Sequence, residues 1–191
     1  AQAVRDATAQ LAAAGIDSAA VEARLLMRYL LAEPGAAEAA GAGEATEAAA
    51  SAPRAAVDPG TLFLRADDPA PAEYGAWIAR RVAREPLQHI VGSAPFCGMD
   101  LFVEPGCFVP RPETELLAEW AARFLAGRPT PRVVDLCCGP VTLGLGVSFL
   151  FDAPISLIGI DISRAALQLA EKNAGLVPQA KARFIQADLS A

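Results

Sequence analysis

Asp135, Gly139, Asp161 and Asp188 are the residues whose types and spacing could do chemistry. Each lies at or just beyond a short apolar run: Val133 to Leu136, Ile155 to Ile160, and Ala182 to Ile185. If the runs are parallel strands, these residues stand at the carboxyl edge, where open α/β sheets bind ligands. A glycine turn after the first strand lets backbone N–H groups and a helix N-terminus approach the ligand. An acid after the second strand, roughly 20 residues beyond the glycine, can accept hydrogen bonds from ribose hydroxyls. One after the third strand can receive a base amino group. Singly, such an Asp is often a helix cap and such a glycine only a turn. Together they point to a nucleoside-bearing cofactor.

The elements that must hold these groups follow from periodicity. Strand, helix, strand, helix, strand with short links is half of a doubly wound α/β sheet. The helix after the second strand spans Arg164 to Ala174, capped by Ser163. Before the first strand, Leu116, Leu117, Trp120 and Phe124 mark one face of a helix that ends near Gly127. Leu87 to Val109 carries short apolar runs broken by Gly92, Gly98 and Pro105-Gly106, a hairpin pattern that places His89 in extended chain. Upstream, Val4, Ala7, Leu11 and Ala14 recur at helical spacing up to Gly15, and Val21, Leu25, Tyr29 and Ala32 mark a second helix capped by Asp17 or Ser18. Residues 36–58, rich in Ala, Glu, Gly and Ser, lack large apolar side chains and read as a mobile loop or loosely held helix. A further helix bears Tyr74, Trp77, Ile78 and Val82, with Asp67 or Asp68 as its cap and Pro86 beyond its end. The expected domains are a helical N-terminal domain over 1–86, a hairpin linker over 87–111 and a partial cofactor-binding domain over 112–191.

Composition narrows the function classes. A net charge of −6 over 191 residues argues against a non-specific nucleic-acid binder, which needs a basic face. Arg80, Arg81 and Arg84 read as a solvated helix end. Cys97, Cys107, Cys137 and Cys138 form no CxxC pair and His89 is the one histidine, so a zinc site is not expected. Buried free thiols in a reducing cytosol are the simplest reading, with a Cys97–Cys107 contact across the hairpin left open. The apolar stretch Val141 to Ile160 is broken by Asp152 and Pro154, which argues against a membrane span. The chain shows no secretory leader.

The turn itself separates cofactor classes. A dinucleotide loop wants G-x-G-x-x-G, whereas this one runs Asp135-Leu136-Cys137-Cys138-Gly139-Pro140-Val141. With its opening Asp it resembles the first motif of Rossmann-like methyltransferases, Asp-x-Gly-x-Gly-x-Gly, except that Cys137 and Val141 occupy glycine positions. A Cβ there crowds the ligand or forces an unfavourable φ, and Pro140 removes one N–H donor at a position that tolerates the loss.

Glu85-Pro86-Leu87-Gln88-His89-Ile90-Val91-Gly92, Phe96-Cys97-Gly98 and Val109-Pro110-Arg111-Pro112-Glu113-Thr114-Glu115 resemble the linker and entry motifs of the HemK/PrmC-type release factor glutamine methyltransferases. The resemblance covers essentially the whole chain. It implies an α/β fold, an incomplete Rossmann-like methyltransferase sheet behind a small all-α domain that recognises substrate. It also implies S-adenosylmethionine as cofactor, held by Asp135, Cys137, Cys138, Gly139, Pro140, Val141, Asp161 and Asp188. The implied reaction is methyl transfer to the side-chain amide of the glutamine in a Gly-Gly-Gln motif of a peptide chain release factor, in the cytoplasm. Independently of chemistry, Pro110 and Pro112 hold the chain extended and Glu113 and Glu115 favour a helix N-terminus. Arg111 and Glu113 are further candidates for lining the cleft.

The family's catalytic Asn-Pro-Pro-Tyr does not occur in this sequence, whose one asparagine, Asn173, falls on a helix. Ala191 lies just after the third strand, where a fourth is expected. The chain therefore reads as a truncated form, inactive alone, with no catalytic residue and an unpaired sheet edge able to associate with another chain; a complete form would be a monomer. Alternatives are a non-catalytic remnant that binds a release factor and a fragment of a nucleic-acid amino-group methyltransferase. A nicotinamide dehydrogenase fits worst, because the glycine fingerprint fails.

Overall fold

The computed structural model describes residues 1–32, 52–151 and 153–190, which fall into two compact units, 1–93 and 94–191. Most of the segment 36–58 lies outside the described residues.

The first unit is helical. Helix α1 (Gln2–Ala13), α2 (Ala19–Leu31), α3 (Pro59–Leu64), α4 (Tyr74–Val82) and α5 (Leu87–Val91) surround a core of Leu11, Ala23, Leu26, Met27, Tyr74 and Ile78. Gly15, at φ 70°, lets the chain turn out of α1. The buried residues of α2 are Ala19, Ala23, Leu26, Met27 and Tyr29, so Tyr29 falls where expected, whereas Val21, expected beside it, is 63% exposed. Small side chains let the neighbouring helices approach closely, so alanines rather than the larger Val21 take the contact. Ser18 stands at the N-cap of α2 and donates to Glu22 instead of capping (2.7 Å).

Asp58 caps α3, accepting from Gly60 N at 2.7 Å and Thr61 N at 3.1 Å. The cap position of α4 falls to Glu73, not to Asp67 or Asp68, because the helix begins only at Tyr74; Asp68 instead pairs with Arg65 (2.9 Å). Residues 52–58 lie along α2: Arg28 Nε donates to the Val57 carbonyl (2.6 Å), and Val57 N donates to the Arg28 carbonyl (3.3 Å). The three arginines at the end of α4 are clasps rather than a solvated end. Arg80 pairs with Glu85, Arg81 with Glu22, and Arg84 donates to the carbonyls of Ala14 and Gly15. Burial raises the Glu22 pKa, but hydrogen bonds from Arg81 and Ser18 and the charges of Arg81 and Arg84 outweigh it and leave a net lowering. His89 lies on α5, not in extended chain. Pro86 presets the entry and Gly92, at φ 77°, provides the left-handed exit, so residues read as strand breakers instead start and stop a short helix.

Strand β1 (Ser93–Phe96) pairs with β2 (Met99–Phe102) as a hairpin, with Cys97 and Gly98 both at positive φ in its turn. Helix α6 (Glu113–Leu125) follows, then β3 (Arg132–Leu136), α7 (Thr142–Phe151), β4 (Ile155–Asp161), α8 (Arg164–Ala174) and β5 (Ala180–Gln186). The three strands form a parallel sheet in the order β3-β4-β5. Helices α7 and α8 pack on the face bearing Val133, Leu157 and Phe184. On the opposite face Val134 and Leu136 are 55% and 56% exposed, and among the described residues β3 pairs only with β4. The expected apolar face of α6 is also turned outward: Leu116, Leu117, Trp120 and Phe124 are exposed while Ala118 and Leu125 are buried.

Gly146 explains that choice. A Cβ on it would lie 2.6 Å from Phe96 Cε1 and 3.2 Å from Ala118 Cβ, so α6 and α7 meet through small residues. No disulfide forms among the described residues, so no bond joins Cys97 to Cys107, and Cys137 is exposed rather than buried. No helix among the described residues is long and apolar enough to cross a membrane.

Candidate functional site

The parallel register carries Asp135, the β3–α7 turn and Asp161 to one edge. Asp135 is the penultimate residue of β3 and stands level with Gly159, and Asp161 closes β4 level with Gln186. Asp161 Oδ2 accepts from Gly139 N (2.8 Å) and Oδ1 from Ser163 N (2.8 Å). Asp135 Oδ2 accepts from Gly144 N (2.9 Å), in the first turns of α7. Cys138 N donates to the Ile160 carbonyl (3.0 Å), seating the turn on β4. Thus both acids brace the loop, and each carboxylate retains lone pairs for a ligand.

The backbone of the turn alternates. Cys137, Gly139 and Val141 have φ of 56°, 53° and 60°, the left-handed region that disfavours a Cβ. These are the positions where the methyltransferase pattern carries glycine, so the loop keeps the glycine conformation with two other residues in it. Cys137 is exposed, while Val141 is fully buried among Leu145 and Leu157. Nothing lies within 4 Å of where a Gly139 Cβ would be, which leaves open space over the centre of the turn.

Burial pushes the Asp135 carboxyl up; the Gly144 hydrogen bond lowers it, and the nearby Asp161 charge raises it again. Burial, with the charges of Asp135 and Asp161, pushes the Cys138 thiol up to about 12. Cys138 is therefore a neutral packing side chain against Gly159, not a nucleophile. Thr142, at the start of α7, has a buried hydroxyl that finds no partner among the described residues.

Asp188 lies two residues past the end of β5, and its carboxylate accepts from Ser190 N (2.8 Å) and Ser190 Oγ (2.7 Å). Those bonds hold its pKa down. It shares the carboxyl edge with the other acids, but no hydrogen bond joins it to the turn. Pro140 contributes its carbonyl, which accepts from Asn173 Nδ2 at 3.4 Å.

Asn173 is the residue that sequence reasoning left without a role. Fully buried on α8, it accepts from Phe102 N (2.8 Å) and donates to the Phe102 carbonyl (3.2 Å), tying the turn to β2. Its helical spacing from Ala166, Leu169 and Ala170, the buried side of an otherwise polar helix, was the available signal. Glu115, read as a helix-end charge, instead accepts from Cys97 N (3.0 Å) and holds the left-handed hairpin turn. Arg111 lies over the Phe108 ring, 5.6 Å from its centroid.

The PrmC N-terminal domain family matches residues 42–92. A release factor glutamine methyltransferase of Corynebacterium glutamicum is 40% identical over 90% of the chain, and 53% of that relative is covered. The chain is similar over most of its length to release factor glutamine methyltransferases. The Mycolicibacterium smegmatis protein of the same name is 38% identical over 90% of the chain and 53% of its own length. A 4-amino-L-phenylalanine/4-methylamino-L-phenylalanine methyltransferase of Streptomyces pristinaespiralis is 34% identical over 98% of the chain and 57% of its own length. The chain spans little more than half the length of these curated relatives.

Proposed function

We propose that this chain contributes the substrate-recognition and cofactor-binding portion of an S-adenosylmethionine-dependent N-methyltransferase acting on the glutamine amide of a peptide chain release factor. The observation that carries this reading is the turn between β3 and α7. Three alternating left-handed residues, with Asp135 and Asp161 braced against it, stand in the positions of the methyltransferase motif. The residues present fit the cofactor: free space over Gly139, a carboxylate at the end of the second strand for ribose, and the α7 N-terminus beside the turn.

Bound S-adenosylmethionine would supply an electrophilic sulfonium methyl. The chain's own part is positional. Asp161 accepts hydroxyl hydrogens while it holds Gly139, so ribose binding and loop shape depend on one side chain. Asp135 holds the first turns of α7 through Gly144, and Asn173 holds the Pro140 carbonyl. An amide nitrogen is a weak nucleophile because its lone pair is delocalised. Catalysis then rests on orientation and on acceptors for the N–H groups rather than on a strong base. The sequence contains no Asn-Pro-Pro-Tyr to provide those acceptors.

Residues 1–191 are accordingly expected to bind S-adenosylmethionine without turnover. Calorimetric titration with the cofactor, beside a methyl-transfer assay on a release factor, tests both halves of the statement. Turnover by residues 1–191 would remove the proposed need for the tetrapeptide, and absence of cofactor binding would remove the site. The Streptomyces relative favours a second reading, an aromatic amine acceptor. Its nitrogen lone pair is delocalised too, so the same site chemistry applies. Calorimetric titration with 4-amino-L-phenylalanine and with a release factor, each in the presence of S-adenosylmethionine, decides between them by which acceptor binds.

A further inference from the structure

The geometry points to a peptide-docking groove in the helical unit, built for an acidic protein segment that presents an apolar side chain. A groove of about 1040 Å³ runs between α1, α2 and the stretch from α3 to residue 70. Its wall carries Val21 and Phe63, 63% and 81% exposed, and behind them Leu25 and Leu62 are half-buried. An apolar concavity of this size accepts one or two large side chains.

Charge selects the partner. Arg5, Arg24, Arg28 and Arg65 line the same groove. Only Arg65 has a carboxylate partner among the described residues, Asp68. Arg5 donates to the neutral Gln2 side chain and Arg28 to a backbone carbonyl. Arg24 makes no hydrogen bond or ion pair among the described residues. Three guanidinium charges without carboxylates, in a chain of net charge −6, make a local basic rim on an acidic protein. Discrete carboxylates on the partner suit that rim, since guanidinium matches carboxylate in a two-pronged geometry. A nucleic-acid backbone suits it less, because three cations beside Asp67 and Asp68 match one or two discrete carboxylates rather than a continuous run of phosphates. This docking site is separate from the β3–α7 turn, and its occupancy does not depend on methyl transfer.

The test is selection of displayed random dodecapeptides on the immobilised 191-residue chain, followed by fluorescence anisotropy with a labelled enriched peptide. Sequences that pair Asp or Glu with Leu or Phe are the expected outcome. Arg24→Glu and Phe63→Ser should each weaken the labelled peptide by about tenfold or more. Both side chains are exposed, and unchanged thermal midpoints of the variants confirm that folding is intact. Enrichment of basic or uncharged peptides would overturn the assignment. So would binding that neither variant weakens, no enrichment above the Arg24→Glu/Phe63→Ser double variant, or competition by a single-stranded RNA oligonucleotide at equal strength.

Discussion

Both units leave apolar side chains in water, but in opposite ways. In the helical unit the exposed Val21 and Phe63 line a concave groove with arginines on its rim, over a closed core in which the buried Tyr74 Oη donates to the Ala23 carbonyl at 2.8 Å. In the α/β unit the exposed Val134 and Leu136 lie on the open face of a three-stranded sheet, on a strand that among the described residues pairs only with β4. Parallel sheets are ordinarily covered on both faces. One exposure is shaped for a ligand, whereas the other is a sheet surface of the kind further secondary structure covers. The helical unit is therefore expected to tolerate isolation better than the α/β unit.

The largest expected effects come from cutting each core. Leu26→Ala in the helical unit and Leu157→Ala in β4 remove fully buried side chains, each costing about 2–5 kcal/mol. The two tryptophans, Trp77 and Trp120, fall one in each unit. Single-tryptophan variants followed through urea unfolding read the units separately. Each truncation should lower the midpoint of its own unit, and the Trp120 transition should come first in the unmodified chain. A Trp77 transition that precedes it would reverse the comparison.

Gly146→Ala sharpens the contrast at the α6–α7 contact. The new Cβ meets Phe96 Cε1 at 2.6 Å and Cys97 Sγ at 3.0 Å, and overpacking of this kind costs roughly 1–3 kcal/mol. The loss should appear in the Trp120 transition alone. This contact also shows how much of the fold was legible. The order of strands and helices in the α/β unit follows from periodicity. Which side of α6 faces inward does not, because the decision lies in Gly146 and Ala118, small residues that a hydrophobic pattern passes over. The same error placed Val21 of α2 in the core instead of Ala19 and Ala23. At the candidate site, Asp135, Gly139 and Asp161 were legible from their strand ends. The part played by Asn173 was not, since its hydrogen-bonding partners lie 71 and 33 residues away, at Phe102 and Pro140.

A smaller effect separates the units by pH. Burial pushes the Tyr74 hydroxyl from 10.0 up to about 12. A group whose folded pKa is raised contributes stability that is full below its unfolded value and is lost as pH rises through the folded one. The helical unit should therefore weaken between about pH 10 and 12. Tyr74→Phe should remove that dependence and cost about 1 kcal/mol at neutral pH for the lost hydrogen bond. Asp135 gives the α/β unit a dependence of the same sign in acid. Its raised carboxyl favours the fold below the ordinary aspartate value of 3.8, and the contribution fades as pH rises through the raised value. Asp135→Asn should flatten that slope in urea midpoints measured across the acid range.

The smallest stability change is expected at Cys137 within the turn itself, where two residues meet the same backbone demand with different side-chain surroundings. Cys137 and Val141 hold φ of 56° and 60°, and each left-handed residue costs about 1–2 kcal/mol. Cys137 is exposed, so Cys137→Gly relieves strain and sacrifices little contact. Against the gain stands the extra freedom of glycine in the unfolded chain, about 0.5–1 kcal/mol. The net is a stabilisation of up to about 1 kcal/mol. Val141 is fully buried, so Val141→Gly gives up about 1.5–3 kcal/mol of burial for the same relief and should come out neutral to destabilising. Urea midpoints of the two variants should therefore move apart. If both move upward together, the Val141 side chain contributes less packing than its burial implies. Titration with S-adenosylmethionine adds a second reading: Cys137→Gly removes an exposed side chain from the ligand side of the turn and should tighten binding. Val141→Gly changes the core beneath the turn, so any effect on affinity should follow its effect on stability.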